Sequence, residues 1–228
     1  MDRVKRLALM QPYFFPYLGY FRLFAAVDEF IIFDTAQFPR KGRVHRSHVP
    51  GPNGAPEWLT LPLSRCPQET PISHLSFAPH AREAFDRRLA RLAWISNAEG
   101  ANAGRVRAFL NAPLTSVIDY LETGLRLVID ILRIEVVISR ASALNLDPSL
   151  RGQERVIATA AARGATVYVN LSGGRALYSA EAFREAGIEL AFLKPYEGGF
   201  HHLLPALMSE PAHSIRRDLE ASIGFAKP

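Results

Sequence analysis

Short apolar runs alternate with longer amphipathic stretches along most of the chain. Runs rich in β-branched and aromatic residues predict buried strands at residues 7–10, 30–33, 58–63, 136–139, 166–170 and 188–193. Apolar residues that recur every three or four positions predict helices at residues 17–27, 82–96, 104–110, 115–133, 152–163, 180–186 and 214–223. Thr115 or Ser116 is suited to cap the longest of these helices.

The order of these elements predicts an α/β fold. A strand, a loop, a helix and a second strand within residues 7–33 form a βαβ unit, which implies parallel strands. Helices dominate residues 80–133, and the alternation of strands and helices resumes afterwards. We therefore expect a single domain over residues 1–228, with a parallel-sheet, Rossmann-like core and a helical insertion at about 80–133.

Composition narrows the class of protein. Hydrophobic residues are 48% and charged residues 21% of the 228 positions, which is typical of a globular protein. The single cysteine, Cys66, excludes a disulfide within the chain and fits a reducing compartment. No apolar run reaches the roughly 18 residues of a membrane span, and the N-terminus lacks a cleavable signal. We therefore expect a cytoplasmic protein.

The net charge of +5 comes from 27 basic and 22 acidic residues, and nearly all of the basic residues are arginines. Arginine favours phosphate and carboxylate groups, so the charge indicates an anionic ligand or partner; a solvated arginine-rich surface is the alternative. Nucleic-acid binding is not expected, because no basic stripe is interleaved with aromatic residues. A metal site is not expected either, because the histidine pairs His45/His48 and His201/His202 have no evident acidic third ligand.

The loop after the first predicted strand is the first candidate binding segment. Gln11 follows that strand, and ligands of open α/β sheets bind beyond the carboxyl ends of the strands. The tyrosines Tyr13, Tyr17 and Tyr20 could line a pocket for a flat or sugar-like ligand, and Gly19 would let the backbone approach it closely. The alternative is a proline-stiffened aromatic plug in the core.

A second candidate segment follows the next predicted strand. It carries an acid, an amide and three basic groups: Asp34, Gln37, Lys41, His45 and Arg46. This set suits an anionic substrate, with Asp34 or His45 as a base, and a solvated basic loop is the alternative.

A third candidate segment, Asn170 to Tyr178, also follows a strand and leads into a helix. Its Gly173 and Gly174 amides could hold an anion, although a plain tight turn is the reading that this segment favours when it is taken alone. Cys66 has no base nearby in the sequence, so we expect it to be dispensable.

Several blocks of the sequence resemble the WbqC-like proteins of bacteria. They are MQPYFFPYLGYF, DEFIIFDTAQF, KGRVHRSHV, WLTLPLS and YVNLSGGRALYSAEAFREAGIELAFL, and HSIRRDL is similar to a later motif through Ser214. Arg46, Asn170, Gly173, Gly174 and Tyr178 match the family pattern. His45 replaces an asparagine of that pattern, and His202 stands where the family often has a glutamine, so substrate choice is expected to differ if that glutamine contacts substrate.

The resemblance implies a transferase. Members of the family occur in gene clusters for O-antigen and other surface polysaccharides, and transfer of glycine or another aminoacyl group to a sugar has been proposed for them. For this chain we expect an activated thioester donor, carried by coenzyme A, by phosphopantetheine or by an acyl carrier protein, and no permanently bound cofactor. The acceptor would be an amine or hydroxyl of a sugar or small metabolite. Asp34, His45 and Gln11 would carry the catalysis, and Arg46 and Lys41 the donor phosphate.

A weaker resemblance leads to a different function. The opening strand, PYLGY and helix look like the start of adenylyl- and cytidylyl-transferases that carry H-x-G-H, with Tyr17 and Tyr20 in place of the two histidines. Tyrosine cannot offer positive charge to a nucleotide phosphate, which argues against nucleotide activation. A nucleotidyltransferase-like nucleotide-binding enzyme is therefore kept only as an alternative. A non-catalytic binding protein of the same pathway is another alternative.

Overall fold

A six-stranded sheet lies at the centre of the protein, which a computed structural model describes over residues 4–226. The strands are β1 (Arg6–Met10), β2 (Glu29–Ile32), β3 (Arg46–Pro50), β4 (Pro56–Thr60), β5 (Val137–Arg140), β6 (Val167–Leu171), β7 (Glu189–Leu193) and β8 (Phe225–Ala226). The sheet order is β5-β2-β1-β6-β7-β8, and every neighbouring pair is parallel except β7 with β8. The predicted parallel, Rossmann-like core is confirmed.

The strand order creates one topological switch point. From β1 the chain moves outward to β2 and β5, and it then returns to the other side of β1 with β6 and β7. The loops that leave β1 and β6 therefore diverge in opposite directions. In open α/β sheets this is where a ligand-binding crevice forms, at the carboxyl ends of the strands.

Helices cover both faces of the sheet. They are α1 (Leu18–Ala26), α2 (Ala81–Ala90), α3 (Ala93–Asn97), α4 (Ala103–Leu110), α5 (Val117–Leu132), α6 (Gly152–Ala162), α7 (Ala180–Glu185), α8 (Leu203–Ser209) and α9 (Ala212–Ala221). Side chains of β1 alternate between the two faces: Leu7 and Leu9 pack with α6 and α7, whereas Ala8 packs with α1 and α5. Among residues 4–226, no helix is long and apolar enough to cross a membrane.

The segment between β2 and β5 holds an antiparallel hairpin, β3 with β4, followed by α2 to α5. The helix predicted at 82–96 is two helices, because Leu92 between them has non-helical angles (φ −100°, ψ 75°) and is buried. The indole N–H of Trp94 donates to the carbonyl of Pro50 at 2.8 Å and so attaches α3 to the hairpin. Ser116 caps α5 as predicted, since its hydroxyl accepts from the amide of Asp119 at 3.3 Å.

Three elements, β3, α8 and β8, were not predicted from the sequence. β3 has the sequence Arg-Ser-His-Val-Pro, and only Ser47 and Val49 of it are buried, so it shows no apolar run. α8 contains Pro205, which normally indicates a break. The proline lies in the first helical turn, where its missing N–H is tolerated.

Candidate functional site

The first two predicted binding segments lie side by side. The amide of Phe14 donates to the carbonyl of Arg43 at 3.1 Å, and the buried hydroxyl of Ser47 donates to the carbonyl of Phe15 at 2.7 Å. Phe15 has a φ of 40°, in the left-handed region that a phenylalanine rarely adopts. The bond from Ser47 holds this conformation, so the hairpin fixes the shape of the loop that leaves β1.

Gln11 and Gln37 meet at the edge of the sheet beside the switch point. The side-chain amide of Gln11 lies 3.5 Å from the carbonyl of Gln37, a long hydrogen bond that leaves the amide available to other partners. The side chain of Gln37 donates to the carbonyl of Gln68 at 2.9 Å. Gln37 is exposed and Gln11 is half-buried, so both can contact a molecule from solvent.

Gly19 and Tyr20 lie in the core instead of lining a pocket. Tyr20 has no exposed surface, and its hydroxyl donates to the carbonyl of Gln11 at 2.7 Å. A Cβ on Gly19 would lie 2.2 Å from a ring carbon of Tyr17 and 2.7 Å from the Cβ of Tyr196. The absence of a side chain at Gly19 therefore makes room for Tyr17 and Tyr196 and not for a ligand. The expectation that Gly19 and Tyr20 line a binding pocket is thus corrected. Tyr13 and Tyr17 are half-buried.

Asp34 is buried and is bonded through both of its carboxylate oxygens. Oδ1 accepts from the backbone amide of Ser142 at 2.9 Å, and Oδ2 accepts from the hydroxyl of the same residue at 2.5 Å. The carboxylate thus joins the end of β2 to the turn that follows β5. This geometry gives Asp34 a structural role, which corrects its assignment as a base.

Arg46 stabilises its own loop. Its guanidinium donates to the carbonyls of Lys41 and Gly42, the second at 2.8 Å, and lies 4.2 Å from the centre of the Trp58 ring. The Trp58 ring also contacts His48, with the ring centres 3.5 Å apart. The guanidinium thus braces the loop through two carbonyl oxygens and the Trp58 ring. Lys41 is exposed.

Asn170 shapes the turn that follows β6. Its carboxamide oxygen accepts from the amide of Leu171 at 2.7 Å, and its nitrogen lies 3.2 Å from the hydroxyl of Tyr178. A Cβ on Gly174 would lie 3.1 Å from that nitrogen, so Gly174 allows the side chain to fit, while Gly173 faces open space. By strand alternation Asn170 lies on the same face of the sheet as Leu9 and Gln11. These groups border the switch point from its β6 side.

The two residues of the late motifs lie apart from this turn. The Nδ1 atom of His202 lies 3.2 Å from the carbonyl of His48, so His202 packs on the outer side of the hairpin. Ser214 lies in the first turn of α9, where its amide donates to the carbonyl of Pro211 at 3.0 Å. From the family resemblance, His202 and Ser214 are expected to bind substrate, and this stays a prediction.

A buried arginine, which the sequence did not single out, and Asp218 of the HSIRRDL motif fix the loop before α8. Arg22 is 1% exposed, although it lies on an apolar helix, and it donates to the carbonyls of Gly19, Lys194 and Ser222. Its guanidinium also lies 5.3 Å from the centre of the Tyr196 ring. The hydroxyl of Tyr196 donates to Asp218 at 2.6 Å, and burial raises the pKa of that hydroxyl. The sequence did carry a signal for Arg22, since it is the only charged residue of the apolar helix α1.

His45 lines a cavity of about 490 Å³ between the hairpin, the segment after β4 and α2. We call it the arginine cavity; its lining residues are Phe38, Arg40, His45, Thr60, Leu61, Pro62, Leu63, Ser64, Arg65, Cys66, Ala78 and Arg88. Within residues 4–226, no group forms a hydrogen bond with the buried Nδ1 atom of His45. Burial, together with the nearby charges of Arg46 and Arg88, lowers the pKa of His45 to about 4. The imidazole is therefore neutral at neutral pH.

Cys66 lies on the wall of the same cavity, so the structure supplies the nearby histidine that the sequence did not show.

A larger cavity of about 870 Å³ lies at the opposite, amino-terminal edge of the sheet. Its buried Glu29 is already bonded to Lys5 at 2.9 Å, to Arg163 at 2.8 Å and to the hydroxyl of Ser139 at 2.9 Å. These bonds satisfy the carboxylate and fix the amino ends of the strands. In the part of the chain that is described, no three His, Cys, Asp or Glu side chains come together as metal ligands.

Comparison with known proteins identifies the family. A family model described as the WbqC-like protein family matches residues 11–202. The chain belongs to the WbqC-like protein family. The matched range includes the switch-point loops, the hairpin and the arginine cavity of this WbqC-like chain, and it ends before the motif that contains Ser214.

One relative is an uncharacterized protein of Mycobacterium tuberculosis, which is 37% identical over 60 residues. The aligned segment is 26% of this WbqC-like chain and 26% of the relative, so the chain spans about a quarter of that protein's length. No solved structure matches the chain.

Proposed function

We propose that this WbqC-like protein transfers an acyl or aminoacyl group from an activated thioester to an amine or hydroxyl of a sugar or small metabolite. The observation that carries the proposal is His45, a neutral imidazole that borders a cavity of ligand size. A neutral imidazole can accept a proton, which this reaction requires.

The reaction needs one proton transfer in each direction. As the amine or hydroxyl attacks the thioester carbonyl, a new C–N or C–O bond forms and His45 accepts the proton that the nucleophile loses. When the tetrahedral intermediate collapses, the C–S bond breaks and the imidazolium returns the proton to the departing thiolate. The neighbouring Arg88 supplies positive charge near the oxyanion that forms between these steps.

A base with a pKa of about 4 is weak, and donor binding would strengthen it. Arg46 and Arg88 are two of the causes that hold the pKa of His45 low. A negatively charged donor beside these arginines would offset their field and raise the pKa of His45 toward its ordinary value. His45 would thus become an effective base only when the donor is in place.

We assign the acceptor to the side of the cavity that faces the switch point. Gln37 immediately precedes Phe38, which lines the arginine cavity, and Gln37 contacts the side chain of Gln11. The Gln11 amide could hold a hydroxyl or amine of the acceptor by hydrogen bonds. The donor and the acceptor would then approach His45 from two neighbouring surfaces.

The test is thioester consumption. Purified protein is given acetyl-coenzyme A or glycyl-phosphopantetheine with a panel of amino sugars, and the loss of thioester absorbance is followed. His45→Gln is expected to lower kcat by about 10²–10⁴-fold with little change in the KM for donor. His213→Gln, on the exposed surface of α9, is the matched control. Equal kcat values for His45→Gln and the control, or no donor consumption with any acceptor, would overturn the proposal.

A nucleotide-binding enzyme is the second candidate, because the strand order is that of doubly wound nucleotide-binding folds. The core position of Tyr20, at one of the two histidine-equivalent places, disfavours nucleotidyl transfer. A rise in melting temperature with ATP or CTP and none with coenzyme A would favour this candidate.

A further inference from the structure

Three arginines of the arginine cavity, Arg40, Arg65 and Arg88, lie together without a carboxylate among the lining residues of the described chain. Elsewhere in the described chain, eight arginines form ion pairs with Asp or Glu, namely Arg82, Arg91, Arg105, Arg126, Arg140, Arg163, Arg184 and Arg216. The cavity therefore concentrates positive charge that the protein itself leaves uncompensated.

Two of these guanidiniums are held in place by neutral groups. Arg40 donates to the carbonyl of Cys66 at 2.8 Å, and Arg88 donates to the carbonyl of Thr60. A guanidinium has five N–H donors, so each of these arginines keeps donors for a ligand after its bond to the backbone. The carbonyl bonds position the charge without cancelling it.

Two titratable groups at the cavity have lowered pKa values. Burial and then the charge of Arg87 lower the pKa of Arg88. Burial and then the charges of Arg46 and Arg88 lower the pKa of His45. Burial is the larger cause in both cases, and an anion placed there would offset only the part that the neighbouring cations add.

The rest of the wall is apolar. Phe38 is 8% exposed and Leu61 is 1% exposed, and Pro62, Leu63 and Ala78 extend the same surface. A volume of about 490 Å³ lies within the usual range for small-molecule sites. A suitable ligand therefore has an anionic end and an uncharged chain.

We propose that the arginine cavity binds a phosphate ester, with its phosphate on the three arginines and its uncharged chain along the apolar wall. Arginine pairs with phosphate through two parallel N–H donors, so the three guanidiniums suit this ligand. That this ligand is the acyl donor rests on the proposed function, whereas the phosphate site does not.

Titration calorimetry with three probes tests the site. The probes are phosphopantetheine, pantetheine, which lacks the phosphate, and inorganic phosphate. Phosphopantetheine is expected to bind at least about tenfold more tightly than pantetheine, since a bond to a charged group contributes about 1.5–3 kcal/mol. Raising the salt concentration should weaken its binding but not that of pantetheine.

The decisive variant is Arg65→Ala. Arg65 is exposed, so its removal leaves the core intact, and a tenfold or greater loss of phosphopantetheine affinity is expected. Arg184→Ala is the matched control, because Arg184 is an exposed arginine on α7, on the other face of the sheet, paired with Glu181. Arg88→Ala, accepted only if its melting temperature is unchanged, should lose affinity by a similar factor.

Each outcome decides one point. Tight binding of inorganic phosphate alone would support the anion site and assign it to free phosphate. Equal affinities for phosphopantetheine and pantetheine, or equal losses for Arg65→Ala and Arg184→Ala, would overturn it. Binding that depends on Arg65 without any acyl transfer would keep the site and reject the proposed function. Acyl transfer by Arg65→Ala with an unchanged KM for the donor would keep the proposed function and reject the arginine cavity as the phosphate site.

Discussion

Replacing Asp34 separates a structural carboxylate from a catalytic one. Its two oxygens accept from the amide and the hydroxyl of Ser142, a residue 108 positions away. Asp34→Ala removes both bonds at once. We expect the variant to lose stability, since the carboxylate holds the end of β2 to the turn after β5.

The cost can be worked out from these two bonds. A hydrogen bond to a charged group contributes about 1.5–3 kcal/mol. Ser142 is exposed, so its freed N–H and hydroxyl regain water and the total falls to about 2–4 kcal/mol. For a chain of this size that corresponds to a drop in melting temperature of roughly 5–15 °C. Asp34→Asn should cost only about 1–2 kcal/mol, because an amide can accept from the backbone and donate to the serine hydroxyl.

Urea unfolding of Asp34→Ala, Ser142→Ala and the double variant gives the measurement. Ser142→Ala removes one bond, and we expect about 1–2 kcal/mol. The double variant should be about as stable as Asp34→Ala alone, because the two side chains act on each other. If Asp34→Ala unfolds at the wild-type urea concentration and yet abolishes acyl transfer, Asp34 is a catalytic residue and this reasoning is refuted.

Variants at three further positions test the local packing and the titration. Gly19→Ala should lower the free energy of unfolding by about 1–3 kcal/mol in urea, since the added methyl group would overlap Tyr17. Arg46→Ala should lower it by about 1–2 kcal/mol without any ligand, and Arg46→Lys should recover little, because lysine lacks the planar fork that binds both carbonyls. The lowered pKa of His45 means that the unfolded chain binds more protons between pH 6.5 and about 4, so stability is lost as pH falls through that window. His45→Gln should reduce this loss by about 1–2 kcal/mol, a value discounted for partial exposure, when urea curves at pH 7 and pH 5 are compared; identical pH dependence in both proteins would contradict the shift.

The periodic parts of the fold could be predicted because they depend on local patterns. The apolar spacing over 117–132 matches α5, and the βαβ unit at the start implied the parallel pairing of β1 with β2. β3 escaped prediction because only every second residue of this hairpin strand is buried, so it has no apolar run. The position of the candidate residues at the ends of strands followed from the same local reasoning.

The roles of individual polar residues could not be predicted, because their partners are distant in the sequence. Nothing near Asp34 indicates that Ser142 will occupy both of its oxygens. The sequence placed Arg46 with a donor phosphate, but the contacts of its guanidinium are two carbonyls and Trp58. The place of a polar residue after a predicted strand indicates where the residue lies in the fold. Which groups its side chain contacts depends on segments that are distant in the sequence.

One signal for the arginine cavity was present in the sequence. Residues 38–66 hold five basic residues and one acidic residue, so this segment carries +4 of the net +5 of the whole chain. Folding then adds Arg88 from α2 to the same cavity and supplies no carboxylate to its wall. Gathering like charges costs free energy that the same arginines would avoid if they were dispersed or paired, as many are elsewhere in the molecule. A bound anion would offset that cost and would also cancel the part of the His45 pKa shift that Arg46 and Arg88 cause, while the larger part, which comes from burial, would remain.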